Sequence, residues 1–210
     1  MKVLLINGSP HEHGCTYTAL TEIASQLSKN GVDSEILWLG TEPIKSCMGC
    51  GGCYRAGKTN CVYTGDVVEI AQKKMDECDG IIVGSPVHYA GASGQMTSFM
   101  GRFFYSYSAK MQNKPGAAIV SCRRGGASAA FESLNKFFQI CNMPLVTSQY
   151  WNQVHGNTPE EVKADLEGMQ TMRTLADNMA WLLKSIEAGK AAGVTVPERE
   201  PKARTNFIRL

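Results

Sequence analysis

Cys47, Cys50, Cys53 and Cys61 follow the spacing Cys-x2-Cys-x2-Cys-x7-Cys. Thiols three residues apart let one loop wrap several sulfurs around a compact centre, as ferredoxin-type sites do with iron–sulfur clusters. Structural zinc more often uses two separated Cys-x2-Cys pairs. The spacing therefore favours a [4Fe-4S] cluster, with a metal-free thiol loop as the second reading and zinc as the third. Gly49, Gly51, Gly52 and Gly57 leave the backbone free to aim amides at sulfur, and Lys45, Arg55 and Lys58 offset the negative charge of such a centre. The remaining cysteines, Cys15, Cys78, Cys122 and Cys141, are scattered and read as packing residues.

Three further stretches carry chemistry. Gly8-Ser9-Pro10-His11-Glu12-His13-Gly14-Cys15-Thr16 supplies small and hydroxyl residues where amides at a helix N-terminus could surround a phosphate. It has neither the Gly-Lys-Ser/Thr of a P-loop nor the GxGxxG of a dinucleotide site. Gly84-Ser85-Pro86-Val87-His88-Tyr89-Ala90 and Ser121-Cys122-Arg123-Arg124-Gly125-Gly126 would face each other across a planar ring. His88 or Tyr89 would stack on that ring, and amides near Gly125 and Gly126 would bond its carbonyls.

The elements that must position these loops alternate strand and helix. Lys2–Asn7 is a short apolar strand, and Thr16–Lys29 a helix with Leu20, Ile23, Ala24 and Leu27 on one face. Asp33–Leu39 reads as a second strand, and a Cys- and Gly-rich insertion follows over about 40–65. Asp66 is an N-cap for a helix to about Glu77. Gly80–Gly84 is a central, fully apolar strand, Gly94–Ser106 a helix, Ala117–Ser121 a fourth strand and Ala127–Ile140 a helix. A fifth strand begins at Pro144–Thr147. Thr158 and Pro159 open one long helix to about Glu187, with Val162, Leu166, Met169, Met172, Leu175, Met179, Leu182 and Ile186 as its core face. Residues 190–210, with Lys190, Arg199, Lys202, Arg204 and Arg209 among prolines, form an extended arm after a single domain over 1–189. Five such βα units predict an open, doubly wound α/β fold that takes ligands at the carboxyl ends of its strands.

Bulk composition excludes several classes. A formal charge of +2 over 210 residues offers no long-range attraction to nucleic acid or anionic membrane. No apolar run approaches the roughly 18–20 residues of a bilayer span, and Val3–Ile6 is too short for a signal-peptide core. The expectation is a cytoplasmic protein with no nucleic-acid or membrane partner.

Taken together, GSP with a following Gly-x-Thr after strand one, GSPV-x-aromatic after strand three and RRGG after strand four resemble the NAD(P)H-dependent FMN reductase branch of the flavodoxin-like superfamily. The resemblance covers about Met1 to Glu187 and implies a five-stranded parallel sheet in the order 2-1-3-4-5. It implies that Ser9, His11, Cys15 and Thr16 hold the FMN phosphate, and that the ring touches Pro86, Val87, His88, Tyr89, Arg123, Gly125 and Gly126. The family usually has Arg and Asn where this chain has His11 and Cys15, so phosphate binding would rest more on backbone amides, Ser9 and Thr16. The cysteine spacing is similar to that of iron–sulfur flavoproteins, a subfamily with its cluster loop at this place, although Val62 follows Cys61 where ferredoxin runs have Pro. The implied activity is an oxidoreductase that takes hydride from NADH or NADPH onto FMN and passes electrons to a small-molecule or protein acceptor, through the cluster if one is bound. A homodimer or homotetramer is expected. The competing readings are a non-enzymatic electron carrier, which would not turn over NAD(P)H with a simple acceptor, and a zinc-bearing binding protein, which would not be yellow.

Overall fold

A computed structural model describes residues 1–201, 203 and 205. The chain runs β1 (Lys2–Asn7), α1 (Cys15–Lys29), β2 (Asp33–Trp38), α2 (Gly52–Arg55), α3 (Val67–Met75), β3 (Gly80–His88), β4 (Gly91–Ala92), α4 (Gly94–Met111), β5 (Gly116–Cys122), α5 (Ala127–Ile140), β6 (Gln153–His155), α6 (Pro159–Ala164) and α7 (Leu166–Ala191). The sheet order is β2-β1-β3-β5-β6, all parallel, with β4 added antiparallel to the end of β3. Counting the parallel strands alone, this is the expected 2-1-3-4-5 order of a flavodoxin-like fold.

Period-two alternation along the strands divides the core between the two faces of the sheet. Leu4, Ile6, Ile81, Val83, Ala118 and Val120 face α3, α4 and α5. Val3, Leu5, Ile82, Ala117 and Ile119 face α1, α6 and α7. On α4, Phe99, Phe103, Phe104 and Tyr107 are nearly fully buried, and each such side chain contributes about 1.5–3 kcal/mol by leaving water. The methionine stripe of the last helix is core packing: Met169, Met172, Leu175 and Met179 are buried against α1 and the sheet.

Three elements differ from the sequence expectation. The fifth strand is not Pro144–Thr147, which makes a single bridge from Leu145 to Gly116; it is Gln153–His155, paired with Val120–Cys122. Between the two, Asn152 takes over the edge of β5, its amide donating to the Ala118 carbonyl and its own carbonyl accepting from Val120. The long terminal helix is broken at Asp165. That residue ends α6 and caps α7, its carboxylate accepting from the Gly168 and His155 amides, and Leu166 is left exposed. The central strand continues past Gly84 to His88, so the second of the three loops is largely strand and ends in a hairpin. Residues 194–201 are exposed and carry no regular structure; Lys202, Arg204 and Arg209 lie outside the described residues.

At the β1–β2 edge, Glu35 accepts from Lys74 and from Lys2, the latter at 3.0 Å. The two ammonium groups, Lys74 foremost, hold the Glu35 carboxyl below its ordinary 4.5. A depressed carboxyl stabilises the fold above that unfolded value and loses its contribution as pH falls through the folded one. Glu35→Gln should therefore unfold at lower urea than the parent near neutral pH, and the two midpoints should converge as the pH drops below 4.5. A gap that persists in acid would trace the effect to packing instead.

Candidate functional site

The three loops meet at the carboxyl ends of β1, β3 and β5, and their meeting is fixed by backbone bonds. The Gly8 amide donates to the Gly84 carbonyl at 2.9 Å, and the Ser93 hydroxyl donates to the Gly8 carbonyl at 2.6 Å. A Cβ at Gly8 would stand 2.9 Å from the Met96 Cβ, which cannot swing away as the Met96 methyl could, so only glycine allows the approach. Asn7 shapes the loop from below: its side chain accepts from the Ser9 amide and donates to the Glu12 carbonyl. The Ser9 hydroxyl accepts from the His11 amide, and the Trp38 indole donates to the Ser9 carbonyl. The Thr16 hydroxyl pairs with that of Ser121 at 2.9 Å, tying the first loop to β5. Cys15 is half-buried, and its thiol donates to the Gly156 carbonyl at 3.8 Å.

Ser9 and Thr16, at the two ends of the first loop, are thus buried, while His11 between them in sequence is exposed. Pro86 and Val87 are half-buried in β3, and His88 and Tyr89 are exposed at its hairpin. Both turn residues of that hairpin, Tyr89 and Ala90, have positive φ (51° and 60°). Such turns prefer Asn or Gly, and sparsely populated backbone of this kind costs on the order of 1–3 kcal/mol per residue. Gly126 lies directly beneath: a Cβ there would stand 2.7 Å from the Ala90 Cα. Arg123 and Gly125 are exposed next to it.

Helix capping separates these loops from the rest of the molecule. Asp66, Ser93, Thr158 and Asp165 cap α3, α4, α6 and α7 with their side chains. The long helices that leave the loops after β1 and β5, α1 and α5, begin at Gly14 and Gly126, with no side-chain cap and no acidic residue in the first turn. Among the described residues no other element caps these two ends with a side chain, so their positive dipole ends stay open to an acceptor.

Sequence reading missed Asn7, Trp38, Ser93 and Gly156. A polar residue closing the apolar strand Lys2–Ile6 was the available signal for Asn7, and a serine before a helix was the signal for Ser93. Nothing local marked Trp38 or Gly156, which reach the first loop only through tertiary contact.

The cysteine loop forms a second centre. Cys47, Cys50, Cys53 and Cys61 line one cavity of about 20 Å³ together with Tyr63, Arg102, Tyr105 and Ser106. Cys53 and Cys61 are buried, whereas Cys47 and Cys50 are exposed on irregular backbone. Among the described residues, no three His, Cys, Asp or Glu side chains are gathered closely enough for a single metal ion. The Tyr63 amide donates to the Cys61 sulfur at 3.4 Å. Gly49, Gly51 and Gly57 all have positive φ, so these three glycines serve the path of the loop. The cationic groups are engaged with aromatic rings, Lys45 over Tyr63 and Lys58 over Tyr54 and Tyr105. Arg55 lies in the four-residue helix α2, which sequence periodicity did not reveal. The Tyr54 hydroxyl, within hydrogen-bond distance, pushes the Tyr105 phenol up to about 12.

Arg102 stands at the back of this cavity, 1% exposed. Its Nη2 pairs with Asp66 and its Nη1 donates to the Lys45 carbonyl at 3.0 Å. Among the described residues its Nε has no partner. A buried donor left unpaired costs about 1–3 kcal/mol, so this nitrogen requires an explanation.

Fold and loops define the class: a flavodoxin-like α/β protein whose three candidate loops meet at the carboxyl ends of β1, β3 and β5. A sequence model of the NADPH-dependent FMN reductase family matches residues 1–158. An iron-sulfur flavoprotein of Methanocaldococcus jannaschii is 34% identical over 195 residues, covering 89% of this chain and all of that protein. The chain belongs to this family. In fold alone it is similar to a flavodoxin, WrbA-like protein from Agrobacterium tumefaciens (TM-score 0.60, 14% identity, 88% of this chain and 97% of that one). It is also similar to part of the rubredoxin oxygen:oxidoreductase of Desulfovibrio gigas (TM-score 0.61, 18% identity, 89% of this chain), spanning 37% of that longer chain.

Burial raises the thiols of Cys15, Cys78, Cys122 and Cys141 above the ordinary cysteine value. Thiolate is the reactive form. In metal-free protein near neutral pH, iodoacetamide should therefore label Cys47 and Cys50 first and those four last, as followed by peptide mass spectrometry. Early labelling of Cys78 or Cys141 would contradict the packing described.

Proposed function

We propose that this chain is an FMN-dependent oxidoreductase that accepts hydride from NADH or NADPH and delivers electrons to a small-molecule or protein acceptor through a [4Fe-4S] centre on its cysteine loop. The observation that carries the flavin assignment is the pair of uncapped helices, α1 and α5, opening on the same edge beside a loop of small residues. First-turn amides of α1 suit a phosphate, with the Ser9 and Thr16 hydroxyls within the same loop and His11 and Cys15 at its rim. Gly125, Gly126 and the Arg123 guanidinium suit the electronegative end of a ring seated over Pro86 and Val87, with His88 and Tyr89 at its open side. Arg123 there would favour a negatively charged ring over a neutral one.

Four thiols around one cavity, a backbone amide on Cys61, positive-φ glycines and a buried unpaired Arg102 nitrogen together fit an anionic centre. Their spread is too open for one ion, and a multi-iron centre holds its thiolates farther apart than a single ion does. The cavity is water-sized, so the exposed Cys47–Cys50 side is the wall that must open to admit a cluster. When bound, the flavin supplies two-electron chemistry and the cluster one-electron chemistry; the protein contributes position and electrostatics.

Anaerobically purified protein should be yellow-brown, should release FMN rather than FAD on heating, and should contain about four iron and four sulfide per chain. It should oxidise NADH or NADPH with a simple acceptor. FAD, or no flavin after reconstitution, would overturn the flavin reading. Stoichiometric zinc would overturn the cluster, and an absence of NAD(P)H turnover would leave a carrier. Cys53→Ser should lose iron and keep FMN, since none of the flavin residues lies between Cys47 and Cys61. Replacing both Ser9 and Thr16 by alanine should weaken FMN binding by about 1.5–3 kcal/mol per hydroxyl, measured by flavin titration.

A further inference from the structure

The cysteine cavity has one wall that is not part of the cysteine loop. That wall is α4, and its contribution is Arg102, a guanidinium held out of water with two of its three nitrogens engaged. Asp66 and the Lys45 carbonyl fix the plane of the group from two sides. A planar fork fixed this way cannot turn its Nε–H toward a new partner, so whatever satisfies that hydrogen must come to it. Apart from Arg102 itself, the cavity is lined by the four cysteines, Met48, Gly51, Val62, Tyr63, Tyr105 and Ser106. The Ser106 hydroxyl already donates to the Arg102 carbonyl and accepts from Gln72. The sulfurs are the acceptors that remain in quantity.

We propose that Arg102 is a positioning residue for the iron–sulfur centre, donating its Nε–H to a sulfur of that centre while its Nη1 bond to Lys45 anchors the start of the cysteine loop. The inference rests on the cluster reading above. Two consequences follow from its chemistry. A cation and donor at the sulfur favours the more negative, reduced form of the centre, so it raises the reduction potential. The bond to the Lys45 carbonyl ties the exposed end of the loop, two residues before Cys47, to a buried helix, so losing it should loosen the half of the site that Cys47 and Cys50 provide.

The test uses full-length protein reconstituted anaerobically with iron and sulfide, with FMN content as the check on folding. In wild type carrying [15N]arginine, pulsed EPR of the reduced cluster should show a 15N coupling, and Arg102→Lys should abolish it. Arg102→Met should shift the cluster's midpoint potential negative and make iron easier to remove with a chelator. Arg102→Lys, which keeps the charge without the fork, should recover part of the potential shift. Asp66→Asn, which removes the ion-pair partner but leaves Nε in place, should keep the coupling. Wild type with a full cluster but no arginine coupling would overturn the proposal, as would an unchanged potential in Arg102→Met at full iron content. Wild type that takes up no iron would overturn the cluster reading and this one with it. Should Arg102→Met fail to hold FMN, the labelled wild type and Arg102→Lys decide alone.

Discussion

The architecture of the ligand edge depends on one residue held by both of its backbone groups. The Gly8 amide is bound to the end of the central strand, and its carbonyl is bound to the serine that caps α4. The first loop is thereby joined to both ends of the β3–α4 connection, more than seventy residues further along the chain, and the absence of a side chain at Gly8 is what permits it. The Ser93 hydroxyl serves twice, since it also accepts from the Met96 amide, so the cap of α4 and the seat of the first loop are one interaction. Ser85 extends the same network, accepting from the Ser93 amide and donating to the Pro86 carbonyl. Such networks are worth most when every member is satisfied, as these are.

Helix α4 then connects the two centres. Its capped end sits under the first loop, and Arg102 lies nine residues further on, about 14 Å along the axis at 1.5 Å per residue. The Ser46 hydroxyl donates to Ser98 between these two points, and the Gln95 amide reaches the Gly40 and Glu42 carbonyls. The irregular segment leading to the cysteines is thus fastened along the same rigid rod whose cap seats the first loop. A buried aromatic row on the rod's other face, from Phe99 to Tyr107, holds it against the sheet. The spacing between the two centres is therefore set by a helix rather than by a loop.

Several departures from the local rules of good structure fall at the candidate loops and the cysteine cavity. The long helices α1 and α5 lack caps, two non-glycine turn residues adopt left-handed backbone above Gly126, and a buried guanidinium nitrogen is unpaired. Elsewhere the longer helices are capped and the strands alternate cleanly between two cores. Natural sequences depart from local consistency mainly where function requires it. Other departures fall elsewhere: Asn113 and Asn142 have positive φ, and the buried Gln153 Oε1 has no partner among the described residues.

Much of this was legible in the residue order. Short apolar strands and amphipathic helices specify the doubly wound sheet because burial on two faces demands that pattern, and Asp66 and Thr158 announce their helices by side-chain chemistry alone. The spacing of the four cysteines marks their loop because only a local wrap brings such close thiols together. What sequence could not determine are contacts without local cause. The fifth strand falls at Gln153–His155 because Asn152 captures the edge of β5 across 34 residues, which no periodicity encodes. The terminal helix breaks because Asp165 is drawn to the His155 amide by the sheet's end, although the apolar stripe runs through unbroken. Arg102 reads in sequence as one more helical residue, and only the packing of α4 behind the cysteine loop makes it the cation of that cavity. Periodicity and spacing act through near neighbours along the chain; a hydrogen bond between distant segments exists only once the sheet has brought them together.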